Sequence, residues 1–390
     1  MGDDLRILIV WSRRINNTLP ASSRPYYFMK YYDEKFSISV LAPNFPPHET
    51  EERAWNARFI KVYYTDNPIK KLLFSFITKF SFNNLMYAKN FNIFKIYYPN
   101  FQKVVNETLR ENKFDLIYTD YIAHFYLNSF KKLNPKVPVF LEFLSPILFA
   151  QKQFIKYCSL KDKIQSIARY IFERYLEAKK YEKFDAGIYV TKTHFELSKP
   201  FVPKKAFIIP PGVDLNYFKP SESQEDEKLV FTGAMSYPVN VISVLNFYKK
   251  IYPMIKKEIP KVKFYIVGRS PSNEILRLAK LDSSITVTGA VEDVRPYVWS
   301  SAVFVVPIVV DDGGIKNKTL EAMAMGKAIV STSLGAQDIG CENGKHLIIA
   351  ENEKEFAERV VELIRTRERR RLGKNARKFV EENYSWDKKS

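Results

Sequence analysis

The chain has 390 residues, 46% of them hydrophobic, and a formal net charge of +18. That length exceeds one ordinary core and points to two domains of roughly 150 to 200 residues each. No apolar run approaches the roughly eighteen residues of a membrane span, the acidic start Met1-Gly2-Asp3-Asp4 is not that expected of a secretory signal, and two distant cysteines, Cys158 and Cys341, exclude a cysteine-built zinc site and fit a reducing cytoplasm.

Segments 5–11, 36–42, 59–64, 114–119, 137–143 and 186–190 are short β-branched or aromatic runs. Helical patterns separate most of them, so a parallel sheet with helices on its faces is expected. Such sheets bind ligands at the carboxyl ends of their strands. The loop 12–23, which begins Ser12-Arg13 and precedes a helix carrying Arg24, therefore draws attention, as does Glu142 at the end of the fifth run. A carboxylate there has the chemistry to orient or deprotonate a hydroxyl; a salt bridge or a cap is the plain alternative.

Residues 67–106 hold six lysines, ten aromatics and no Asp or Glu. Ile69, Leu72, Leu73, Phe76, Ile77 and Phe80 keep helical spacing, as do Phe91, Phe94, Tyr98, Phe101 and Val105. Such stripes are either packed helices with snorkelling lysines or interfacial helices on anionic lipid. The excess of cations calls for an anionic partner, but no zinc-finger, RRM or KH signature supports nucleic acid. His124 reads as structural, and residues 151–182 as one long basic amphipathic helix. Pro200 and Pro203 then break the pattern and divide the chain into 1–199 and 200–390.

Beyond an acidic segment, 221–228, that reads as a surface linker, strands are expected at 228–233, 262–268, 285–289, 302–307 and 327–332, with an edge strand at 346–350 and surface helices at 353–365 and 369–383. Between the fourth and fifth of these strands, Asp311-Asp312-Gly313-Gly314 reads as a flexible turn in which two glycines can take positive φ and bring bare amides close to a ligand. A helix over 315–325 follows. Gly314, Lys318 and Glu321, four and three residues apart, share one face. A helix N-terminus with Lys316 and Lys318 suits phosphate, and a carboxylate one turn further suits vicinal hydroxyls. Together they describe a nucleoside diphosphate; the alternative is a solvated Lys318–Glu321 pair.

The stretch D-D-G-G-I-K-N-K-T-L-E-A-M-A-M-G-K-A-I-V-S-T resembles the donor-site signature of retaining GT-B glycosyltransferases, in particular family four, whose pattern is Glu, seven residues, Glu-Ala-Met-Ala. Glu321 takes the second Glu and Gly313 stands at the first, as in the exopolysaccharide-associated sugar transferase subgroup. The resemblance runs from Arg6 to Trp386 and is weaker before Tyr175. It implies an α/β protein of GT-B fold, two Rossmann-like doubly wound domains facing across a cleft, with acceptor on 1–199 and nucleotide sugar on 200–390, and a last helix near Tyr384-Ser385-Trp386 returning to the first domain.

The reaction implied is transfer of a hexosyl-type sugar to a hydroxyl of a glycan or lipid-linked saccharide, with retention, no cofactor and no metal. Glu142, Lys318 and Gly314 would serve catalysis. Glu321 would hold the ribose, and Lys316, Asn317, Gly313, Gly233 and Arg269 the rest of the donor, with Gly289, Ala290 and Val291 at the base edge and Ser12, Arg13 and Arg24 beside the acceptor. Ala234 and Val239 stand where many relatives carry Arg and Lys, so Lys316 and Lys318 are expected to neutralise the diphosphate. A cytoplasmic protein touching the inner membrane face through residues 67–106, without nucleic acid, completes the expectation. An epimerase or phosphorylase on the same fold, or a non-catalytic membrane or nucleic-acid binding module, are the rivals.

Overall fold

The computed structural model describes residues 5–11, 20–32, 35–43, 58–62, 100–120, 127–143, 147–157, 181–199, 202–203, 205–221 and 226–386, with scattered positions between 163 and 174. It divides into two units, 1–210 and 211–389.

In the first unit β1 (Arg6–Val10), β2 (Ser37–Pro43), β3 (Arg58–Val62), β4 (Leu116–Asp120), β5 (Val139–Phe143), β6 (Ala186–Tyr189) and β7 (Lys205–Ile208) form one sheet in the order β3-β2-β1-β4-β5-β6-β7. All neighbours are parallel. Alternate residues of β1 serve two cores. Ile7, Ile9 and Trp11 pack with Met29 of α1 (Pro20–Tyr32), while Leu8 and Val10 pack with Phe101 and Val105 of α2 (Phe101–Glu111). The end of the lysine-rich stretch is therefore packed core; residues 67–99, with the rest of the expected lipid-facing stripe, lie outside the described residues, as does His124.

Among the described residues this unit also holds α3 (Leu127–Leu133), α4 (Ile147–Tyr157) and α5 (Lys192–Ser198). The expected helix over 151–182 is seen as α4, which ends at Tyr157, and as helical positions between 163 and 174. β7 was not anticipated, because four residues exposed throughout carry no burial pattern. Its pairing with β6 holds this stretch in the first sheet, so the division falls between Pro210 and Pro211 rather than at 199–200.

The second unit has six parallel strands, β8 (Asp226–Thr232), β9 (Lys263–Val267), β10 (Ile285–Gly289), β11 (Ser301–Val306), β12 (Ile329–Ser331) and β13 (Ile348–Ile349), in the order β10-β9-β8-β11-β12-β13. The acidic segment expected to be linker gives its end to β8, whose first residues are exposed and whose last four are buried. Around the sheet lie α6 (Pro238–Asn246), which passes through a π-helical turn (Phe247–Ile251) into α7 (Tyr252–Glu258), then α8 (Asn273–Leu281), α9 (Arg295–Trp299), α10 (Asn317–Ala324), α11 (Glu353–Arg365) and α12 (Glu368–Asn383).

The last of these packs on α10 and α11, within its own unit. Tyr384 and Trp386 are buried there, with Val213 N donating to Tyr384 O at 2.7 Å. Trp386 also lies against Gly212 of the same unit. In both sheets the order reverses beside the first strand, between β1 and β4 and between β8 and β11, and doubly wound sheets take ligands at the carboxyl ends beside such a reversal. No helix among the described residues is long and apolar enough to cross a membrane.

Candidate functional site

Two strand ends build the floor of the site in the second unit. β8 and β9 run into Gly233 and Gly268, whose φ angles are +152° and +150°. A Cβ on Gly268 would lie 1.7 Å from the Gly233 carbonyl oxygen, so the two backbones touch where any side chain would force them apart. A Cβ on Gly233 would lie 2.7 Å from Asn240 Nδ2 and 3.0 Å from Lys318 Nζ. The bare glycine thus lets both side chains reach down to the end of β8.

Between β11 and α10, Gly313 and Gly314 adopt φ +73° and +77°, as the turn requires. Lys316 departs from expectation. It is 8% exposed, and its ammonium donates to Asp312 Oδ1 at 2.6 Å, Gly314 O at 3.0 Å and Gly313 O at 3.4 Å. Asp312 also accepts from the Tyr237 hydroxyl at 2.7 Å. The charge of Lys316 is therefore matched inside the loop it braces.

Lys318 Nζ donates to Asn240 Oδ1 at 2.6 Å and lies 3.9 Å from the centre of the Phe231 ring. Burial pulls its pKa down to about 7, opposed by Asp312 and Glu321 and assisted by Lys316. One turn further, burial pushes the Glu321 carboxyl up to about 7, with Lys318 opposing. Asn240 is the third residue of α6 and Lys318 the second of α10, and neither helix has a side-chain cap at its start. Two helix N-termini, each carrying partial positive charge, thus meet through one side-chain hydrogen bond. Asn240 is itself steadied by donating to Ala234 O at 2.9 Å.

Asn317 opens α10, half-buried; Arg269 follows Gly268 with its side chain exposed. Gly289, Ala290 and Val291 leave β10 at the same carboxyl edge, two strands from β8. Just beyond them Arg295 pairs with Asp293, stacks 3.9 Å from the Tyr217 ring centre and donates to Tyr217 O at 3.0 Å. Asn240, Phe231 and Asp312 escape a reading by motif. The available signal was a polar side chain in the first turn of a helix that follows a glycine-ended strand.

In the first unit Ser12 and Arg13 lie outside the described residues. Arg24 and Glu142, expected separately at acceptor and catalytic positions, meet each other. Arg24 Nε lies 2.5 Å from Glu142 Oε1, and its Nη2 donates to Ile209 O at 2.7 Å. Glu142 has no exposed surface. The plain alternative, a salt bridge, is thus what the geometry forms, bolting α1 to the end of β5 and to the chain leaving β7.

Burial pushes Glu142 up to about 7 against the opposing Arg24. Its folded pKa exceeds its unfolded one, so this group's contribution to stability is lost as pH rises from about 4.5 to about 7. Arg24→Met is expected to destabilise the protein by roughly 3–5 kcal/mol at pH 8, where the carboxylate is left alone. Urea unfolding should show a smaller loss at pH 5 and recovery in the Arg24→Met, Glu142→Gln double variant; equal losses at both pH values would contradict a buried ion pair.

Residues 226–366 match the family described as Glycosyl transferases group 1. The chain is 23% identical to an uncharacterised glycosyltransferase of Methanocaldococcus jannaschii, over 91% of this chain and 88% of that one. It is 27% identical to an uncharacterised 44.6 kDa protein in the cps region of Klebsiella pneumoniae, over 40% of this chain and 42% of that protein. Among solved structures it is similar to sucrose-phosphate synthase of Thermosynechococcus elongatus, with TM-score 0.67, 16% identity and coverage of 98% and 96%. A second is Anabaena HepE in complex with UDP and glucose, with TM-score 0.61, 13% identity and coverage of 98% and 96%. The fold is the GT-B fold of glycosyltransferases. The segment that carries Gly233, Lys318 and Glu321 is the one that matches the group 1 family.

Proposed function

We propose that the protein transfers a sugar from a nucleoside diphosphate sugar to a hydroxyl of a glycan or lipid-linked saccharide, as a family-four enzyme with retention of configuration. The observation that carries this is Lys318, a half-buried ammonium held by a neutral amide at the meeting of two helix N-termini. No carboxylate among the described residues contacts it, and a diphosphate would supply the match.

In the transfer the bond from the anomeric carbon to the diphosphate oxygen breaks, and the acceptor oxygen bonds to the same carbon. The hydroxyl proton passes to the departing phosphate, on the face it leaves, which preserves configuration. Lys318 and the helix ends stabilise the negative charge developing on that phosphate, the task a divalent ion performs elsewhere, so no metal is required. Glu321 accepts from the ribose hydroxyls, the amides of Gly313 and Gly314 face the sugar, and residues 289–291 meet the base. Arg24 and Glu142 brace the acceptor side, and the part of the lysine-rich stretch that precedes Phe101 serves as a membrane contact. The complex of HepE with UDP and glucose and the cps-region protein support the donor class and a place in polysaccharide synthesis.

Radiolabelled UDP- and GDP-sugars incubated with and without saccharide and lipid acceptors test the proposal. Label should move only when an acceptor is present, and chelator should not change the rate. An epimerised donor formed without acceptor would replace this function with its rival.

Binding should also carry a proton. Lys318 titrates near 7 when the site is empty, and an adjacent dianion raises that value. Above pH 7 binding of UDP then takes up close to one proton, and Kd rises about tenfold per pH unit until the bound-state pKa is reached. Calorimetry in buffers of different ionisation enthalpy measures this; a Kd flat from pH 7 to 9 would remove Lys318 from the phosphate.

A further inference from the structure

The described positions between 163 and 174 are all helical. Ile164, Ile167 and Ile171 expose 74%, 44% and 62% of their surface, whereas Ser166 exposes none. At about 100° per residue the three isoleucines fall on one side of a helix and Ser166 on the other. The usual polarity of a surface helix is inverted, with serine inside and isoleucines out. Lys163 lies one turn before Ile167, and exposed Arg174 nearly one turn after Ile171, so cations bracket the stripe at both ends.

We infer that the stripe Ile164–Ile167–Ile171, with Lys163 and Arg174, is a docking surface for an anionic lipid bilayer. The isoleucines enter the boundary between headgroups and acyl chains, and the cations meet lipid phosphates. Charge selects this occupant. Residues 151–183 carry nine Lys or Arg against four Asp or Glu, in a chain of net charge +18. A second copy packed on the same stripe about a two-fold axis would set Lys163 and Arg174 against their own counterparts, and like charges oppose that arrangement. This stretch is distinct in sequence from residues 67–106, and the inference is independent of the sugar-transfer proposal. The contact is peripheral, since no described helix is long and apolar enough to cross a membrane.

Sedimentation of the full chain with vesicles tests it. Binding is expected to phosphatidylcholine vesicles holding about 30 mol% phosphatidylglycerol, and to be at least about tenfold weaker to phosphatidylcholine alone. Raising NaCl from about 0.1 to 0.5 M should weaken it about tenfold, as the screening length shortens. Ile164→Ser, Ile167→Ser, Ile171→Ser together should weaken it about a hundredfold or more, and Lys163→Glu, Arg174→Glu about tenfold, with melting temperatures unchanged because four of these side chains are exposed and Lys163 is only half-buried. The inference is overturned if the native chain ignores phosphatidylglycerol vesicles, or if the triple serine variant binds them as the native chain does. It is also overturned if light scattering shows a native dimer that the triple variant splits, since the stripe is then a self-interface.

Discussion

Lys318→Ala is expected to lower kcat by roughly two to three orders of magnitude, the cost of removing one preorganised group that stabilises a developing oxyanion. The loss falls on this side chain because Lys316 is matched by Asp312 within its own loop. Lys318 instead has a neutral amide and an aromatic face for partners, and in the proposed function its charge serves the leaving group. Lys318→Met separates charge from packing, since it keeps apolar contact over Phe231.

The same variant should not unfold the protein. Burial lowers the folded pKa of Lys318 from 10.5 to about 7, so the folded state holds fewer protons than the unfolded state between those values. The group therefore costs stability most fully below pH 7, and that cost fades as pH rises to about 10.5. Without ligand, Lys318→Ala should melt at the same temperature or higher at pH 7, while its stabilisation by UDP falls. Such a pattern marks a residue retained for binding at the expense of the fold. Turnover at the native rate in the alanine variant would defeat the proposed mechanism.

Gly268→Ala is the substitution with the largest expected effect on stability. A methyl group 1.7 Å from the Gly233 carbonyl oxygen forces the ends of β8 and β9 apart, and φ of +150° adds backbone strain. Overpacking of this kind costs roughly 3 kcal/mol or more. For a unit of this size that lowers the melting temperature by about 6 to 12 °C. Calorimetry of the full chain should show the shift in the transition that UDP stabilises, because displacing Gly233 also moves the floor beneath Lys318 and Asn240. An unaltered transition would mean the two strand ends have room between them.

Much of the architecture is legible along the chain because it is decided by neighbours in sequence. Runs of β-branched and aromatic residues separated by helical patterns mark twelve of the strands named above, and spacings of three and four, with Gly326 beyond, mark α10. The glycines of the 311–314 turn and the shared face of Gly314, Lys318 and Glu321 belong to the same class, since a helix of known start fixes which of its own residues align.

Partnership across the fold is a different matter. Lys316 and Lys318 are the same residue type two positions apart, and nothing local separates their duties. Lys316 is the extended residue before α10 and Lys318 lies in its first turn, and one meets Asp312 while the other meets Asn240, 78 residues away. Arg24 drew notice on the helix after loop 12–23 and Glu142 at a strand end, yet only the placing of α1 over β5 makes them one ion pair, and the bond from Arg24 to Ile209 spans 185 residues. The edge strand β7, exposed throughout, is a strand because β6 offers it an open edge. Periodicity and turn chemistry in the chain alone determined the elements and the residue types that line the site. Strand order and helix docking decided which of these charged groups meet a carboxylate and which meets a neutral amide, because that depends on groups brought together from distant parts of the sequence.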